Sequence, residues 1–85
     1  MQAENSDYDN GYFTSSELSL CAALITLGFP LYSLDKTNPQ KAVFVFKYTP
    51  DLDKTIEEFW SKQLRIEPIS FFEAQRFVKS RIYGG

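Results

Sequence analysis

Apolar residues cover nearly the whole circumference of a helix drawn through Leu18, Leu20, Cys21, Ala22, Ala23, Leu24, Ile25 and Leu27, and no charge appears between Glu17 and Asp35. A helix that is hydrophobic all round is a buried one, so this segment is expected at the centre of the molecule. Thr14-Ser15-Ser16-Glu17 has the form of a capping box, in which the Thr hydroxyl and the Glu carboxylate each satisfy the other residue's backbone N–H. Phe13 and Leu18 stand at the two positions of a hydrophobic staple. Gly28 suits the left-handed residue that closes a helix, and Pro30 prevents resumption.

Beyond Pro30 the period shortens. Leu31 to Leu34 is a modest strand candidate, and Lys41 to Tyr48 is a stronger one, rich in β-branched and aromatic residues. Asp35 to Gln40 has a turn-forming composition of hairpin-loop length, so the two strands are expected to pair antiparallel. Ala42, Phe44 and Phe46 point one way; Val43, Val45 and the stem of Lys47 point the other. Both faces of this strand are therefore apolar, and a helix or a partner chain is expected to cover part of the second.

Two amphipathic helices complete the pattern. Thr49-Pro50 reads as an N-cap followed by Pro at the first helical position, with Asp51 and Asp53 in the first turn, where the helix dipole favours negative charge. Leu52, Ile56, Phe59 and Trp60 share one face, and the helix is expected to run to about Gln63. Leu64 to Glu67 adds a short extended segment. Ser70-Phe71-Phe72-Glu73 repeats the capping-box pattern, although Pro68 offers a start one turn earlier. Phe71, Ala74, Val78 and Ile82 form the stripe of this last helix, with Phe77 beside it and Arg76, Lys79, Ser80 and Tyr83 around the other side. The resulting expectation is a single α+β domain over residues 12–85, an antiparallel β-hairpin packed with three helices in the order α-β-β-α-(short extended)-α. Residues 1–11 lack apolar periodicity and read as a mobile acidic tail.

Composition narrows the chemistry. In 85 residues there is no His and a single Cys, which removes imidazole-based catalysis, imidazole metal sites and any intramolecular disulfide. Cys21 lies in an apolar run where a Cys behaves as a small hydrophobe, and a reducing cytoplasm is the expected compartment. The apolar stretch from Leu20 to Pro30 is about half the roughly 20 residues a membrane span needs, and no export signal is expected from the polar, acidic start. Charge is uneven: residues 1–19 hold four acids and no base, whereas residues 61–85 hold five bases and two acids. That excess is well short of the dense basic stripe typical of phosphate-backbone binding.

Lys79-Ser80-Arg81 with Tyr83 is the most suggestive polar cluster, since two cations beside an aromatic ring can hold a phosphate and stack on a base. The plainer reading, that helix-end cations serve the dipole while Tyr83 packs on the core, is favoured. Phe44, Phe46, Tyr48, Phe59 and Trp60 could form a stacking platform of the kind found in sheet-based RNA binders, but a domain this small needs those rings for its core. Asp53 and Glu57 lie four apart on a solvated face beside Lys54 and Glu58, and nothing there would shift either carboxyl toward acid–base work. Ser15, Ser16, Ser80 and Cys21 have no partnering base, and there is no Gly-rich phosphate loop. No enzyme activity, cofactor or metal is expected.

The closing run Phe71-Phe72-Glu73-Ala74-Gln75-Arg76-Phe77-Val78-Lys79-Ser80-Arg81-Ile82-Tyr83, with Phe59-Trp60, Leu64-Arg65-Ile66-Glu67 and the helix carrying Thr14, Leu18, Leu20, Ala22, Ala23 and Leu24, resembles a family of small uncharacterised bacterial and phage domains. The resemblance spans residues 13–83 and includes Gly28, Phe44 and Phe46; Val78 stands where the family more often has Leu, and residues 67–69 depart from its usual Asp-containing approach. It implies a fold and an association with mobile elements, and no reaction. The sequence thus points to a non-enzymatic protein–protein interaction module, with a protein partner or a second copy of the chain as ligand. The alternative is a nucleic-acid-binding module using Arg76, Lys79, Arg81 and Tyr83 together with Lys41 and Lys47. The strand aromatics, in surplus over the positions assigned to the core, are the expected contact surface.

Overall fold

The computed structural model describes residues 11–38 and 40–83. In chain order the elements are β1 (Tyr12–Ser15), α1 (Leu18–Thr26), β2 (Leu31–Asp35), β3 (Val43–Lys47), α2 (Pro50–Trp60) and α3 (Pro68–Tyr83). The fold is α+β, with the expected antiparallel hairpin and three helices, and with one strand more than the sequence pattern suggested.

That strand, β1, lies beside β3 on the side away from β2, giving the antiparallel order β1-β3-β2. Phe13 pairs with Phe46 and Ser15 with Phe44. On the other side Leu31 pairs with Phe46 and Leu34 with Phe44, with an irregularity between Leu31 and Ser33. The capping box read at Thr14 to Glu17 therefore does not form. Thr14 is a strand residue, Glu17 occupies the N-cap with no side-chain bond, and the Ser15 hydroxyl accepts the Glu17 N–H instead. Phe13 is a core strand residue, 4% exposed, rather than a staple. Gly11, the last residue of the expected tail, is bonded to the domain, its carbonyl accepting the Tyr48 N–H; the rest of that expected tail, residues 1–10, lies outside the described residues.

α1 is central, as its patterning requires. Leu20, Cys21, Ala22, Ala23 and Leu24 are buried, and the helix touches α3 along its length, α2, and β1. Gly28, at φ 97°, closes it: the Phe29 N–H donates to the Leu24 carbonyl and the Gly28 N–H to that of Ile25, a Schellman pair. The core joins Phe13, Phe44 and Phe46 of the sheet to Leu20 and Leu24 of α1, Leu52 and Ile56 of α2, and Ala74 and Val78 of α3. Removing each large side chain from water contributes roughly 1.5–3 kcal/mol.

The strand aromatics are thus not in surplus. Phe44 and Phe46 are fully buried, and no stacking platform remains on that face. Val43 and Val45, on the opposite face, are half-buried among the strands, and Lys47 is exposed.

Thr49 caps α2 as its sequence predicts, its hydroxyl oxygen accepting the Leu52 N–H at 3.1 Å. The helix ends at Trp60, a turn before Gln63, because Lys62 adopts a left-handed φ of 67° and completes a second Schellman pair through Gln63 to Glu58 and Lys62 to Phe59. Residues 61–67 form no strand or helix. α3 starts at Pro68, not at a Ser70 cap: the two carboxylate oxygens of Glu67 accept the Ile69 and Ser70 N–H groups at 3.0 and 2.7 Å. These bonds, the one from Ser70 foremost, hold the Glu67 carboxyl below its ordinary pKa.

Candidate functional site

Two groups of polar and apolar side chains stand out. The first is where the hairpin loop, the start of α1 and the end of α3 meet around a pocket of about 500 Å³. Two Asx turns shape its loop: Asp35 Oδ1 accepts the Thr37 N–H at 2.9 Å and Asn38 Oδ1 accepts the Gln40 N–H at 2.8 Å. A hydrogen bond from the Thr37 side chain, with the one from its N–H, holds the Asp35 carboxyl below its usual range. The Lys41 N–H donates to the Asn38 carbonyl, and Ser16 Oγ donates to the Ala42 carbonyl at 2.7 Å, tying the end of β1 to the approach to β3. Lys36 reaches across 45 residues of sequence, its Nζ donating to the Arg81 carbonyl at 3.3 Å in the last turn of α3.

The polar lining of this pocket is Lys36, Lys41, Asn38, Gln40 and Ser16, with Tyr83 at its edge and Leu18, Ala42 and Ile82 supplying the apolar wall. Among the described residues no carboxylate lines it. With Asn38 Oδ1 accepting the Gln40 N–H, the Asn38 side chain keeps both donors of its amide nitrogen.

The second group is the exposed side chains of α3 and of the end of α2. Ile69, Phe72, Phe77 and Tyr83 on α3 are 67, 54, 45 and 80% exposed, and Trp60 at the end of α2 is 60% exposed. This corrects the expectation that Trp60 belongs to the buried face of α2, where only Leu52 and Ile56 are buried. Trp60 stands edge-on to Phe59 with ring centroids 4.9 Å apart, and Phe72 packs edge-on to Phe71 at 5.7 Å. Arg76 and Lys79 are exposed on α3. On α2 the exposed or half-exposed charges are chiefly acidic, Asp51, Asp53, Glu57 and Glu58 against Lys54.

The six residues singled out from the sequence are dispersed. Lys41 and Tyr83 share the pocket. Lys79 and Arg81 project from α3 about 200° apart, as two residues must in a helix of 3.6 residues per turn, so they do not form one cluster. The Arg81 guanidinium lies over the Phe77 ring, 6.0 Å from its centroid, and only its backbone carbonyl reaches the pocket rim. Arg76 and Lys79 belong to the outer face of α3. Lys47 lies at the far end of β3 from Lys41, on the open face of the sheet near Tyr12 and Tyr32, whose rings are 4.8 Å apart. There a hydrogen bond with Tyr12, reinforced by the Tyr12 charge, raises the Tyr32 phenol above its ordinary pKa, and Lys47 opposes the shift. Sequence reasoning passed over Lys36, Asn38, Gln40 and Ser16; the Asx-rich loop was legible, but its contact with the end of α3 was not.

The family model described as "Domain of unknown function (DUF5659)" matches residues 10–84. The chain belongs to this family. No curated protein and no solved structure matches it. The described part of this DUF5659 chain contains no helix long and apolar enough to cross a membrane, and no group of three or more His, Cys, Asp or Glu side chains that could hold a metal ion.

Proposed function

We propose that this protein is a non-enzymatic interaction module that pairs with a second copy of itself through the outer face of α2 and α3. The observation that carries the reading is the exposure of Ile69 and Phe72 a turn apart on α3, with Arg76 on the same side, because exposed large apolar residues framed by charge mark contact surfaces. Charge complementarity selects the occupant. α2 carries four acids against one base, and α3 three bases against one acid, so a two-fold axis between the helices sets each basic α3 against an acidic α2. A cytoplasmic setting belongs to the same reading and is supported by the single buried thiol. The association with a mobile element rests on the family resemblance alone.

Sedimentation equilibrium tests it. The protein is expected to dimerise with an affinity that falls as salt rises, and Phe72→Glu is expected to shift it to monomer with the circular dichroism spectrum unchanged. Reversing Arg76 and Lys79 to Glu should weaken the dimer, and adding Glu57→Lys should recover part of the loss. A strict monomer at about 1 mM, where even about 4 kcal/mol of association would show, sinks the proposal.

Nucleic-acid binding through Arg76, Lys79 and Arg81 as one cluster has less support, since the helix sends Lys79 and Arg81 in different directions.

A further inference from the structure

We propose that the pocket between the hairpin loop and the ends of α1 and α3 is a nucleotide site, with the phosphate held by Lys36 and Lys41 and the base set against Tyr83. The lining decides the sign of the ligand. Two ammonium groups and two carboxamides line the pocket and, among the described residues, no carboxylate does, so an anion is favoured over a cation; the Ser16 hydroxyl gives its proton to the Ala42 carbonyl and serves the wall.

Lys36 spends one N–H on the Arg81 carbonyl, which fixes its position and leaves two donors. That bond also occupies one carbonyl at the negative end of α3, and Leu18, the first residue of α1, lines the same space. The remainder of the lining indicates more than inorganic phosphate. Leu18, Ala42 and Ile82 form an apolar wall, and the Tyr83 ring is exposed at the edge, a surface on which a planar base can stack. A volume near 500 Å³ is within the range of small-molecule sites. The nucleotide can be free or one unit of a single strand; the chemistry recognised is the same. This site shares Tyr83 with the exposed residues of α3 but none with those assigned to the dimer, and its test is independent of oligomeric state.

The experiment is an amide-shift titration of the ¹⁵N-labelled full chain with adenosine and uridine monophosphates, adenosine, inorganic phosphate and a short oligothymidylate. Nucleoside monophosphates are expected to move the amides of Ser16, Leu18, Lys36, Lys41 and Tyr83, and to bind more tightly than either adenosine or phosphate. Lys36→Gln, which keeps a donor for the Arg81 carbonyl, combined with Lys41→Ala should weaken binding about tenfold or more, the effect of losing charge-assisted bonds. Its spectrum without ligand reports that the fold persists. Binding of the oligonucleotide alone, lost in the same variant, supports the site and identifies its source as single-stranded nucleic acid. Phosphate binding as tightly as the nucleotides, binding unaffected by the variant, or no shifts at about 10 mM ligand would each overturn the proposal.

Discussion

Burial raises the pKa of the Cys21 thiol to about 12, against 9.0 for a free thiol; desolvation is the main cause, the bond to Ser15 opposes it, and the Glu17 charge adds to it. The group is therefore a packed hydrophobe and not a nucleophile, which needs the thiolate. Alkylation in native buffer should leave Cys21 unmodified, with full reaction only in denaturant. The sign of the pH effect follows: a pKa raised on folding means that the thiol's contribution to stability is complete below pH 9 and is lost as pH climbs from there toward 12. The melting temperature should fall over that alkaline range, and fall less steeply in Cys21→Ala. Periodicity could place Phe44, Phe46 and Trp60 on apolar faces but could not rank their burial. That depended on which face another element covered.

At the scale of elements, the two Schellman ends make opposite predictions. Gly28 sits at φ 97°, where a Cβ meets no neighbouring atom yet the backbone itself is strained. Gly28→Ala should therefore destabilise by about 1–2 kcal/mol. Lys62 occupies the equivalent position after α2 at φ 67° with a side chain, so Lys62→Gly should stabilise by up to about 1 kcal/mol. Urea titration of the two variants checks both signs. Gly28, Thr49 and Pro50 were legible because local backbone chemistry decides a cap. Thr14 to Glu17 misled for a related reason: the four residues satisfy a local rule, but Tyr12 to Ser15 obtain their partners from β3, some 30 residues away. Glu67 was overlooked because its capping geometry appears only once Pro68 has begun the helix.

Across the whole molecule, α1 is the element against which the others are assembled, so damage there should propagate. Leu24→Ala, at a fully buried position, is expected to cost about 2–5 kcal/mol, a large share of the stability of a domain this size, with calorimetry showing one lowered transition for helices and sheet together. The sequence by itself determined the α+β class, the central buried helix, the β2–β3 hairpin and the caps at Gly28 and Thr49, because hydrophobic period and backbone preference act over a few residues. Only the tertiary structure decided that β1 joins the sheet, that Trp60 and Phe72 face outward while Phe44 and Phe46 face in, and that Lys36 and Lys41 meet the end of α3. Those outcomes depend on contacts between residues tens of positions apart, for which local pattern carries no signal.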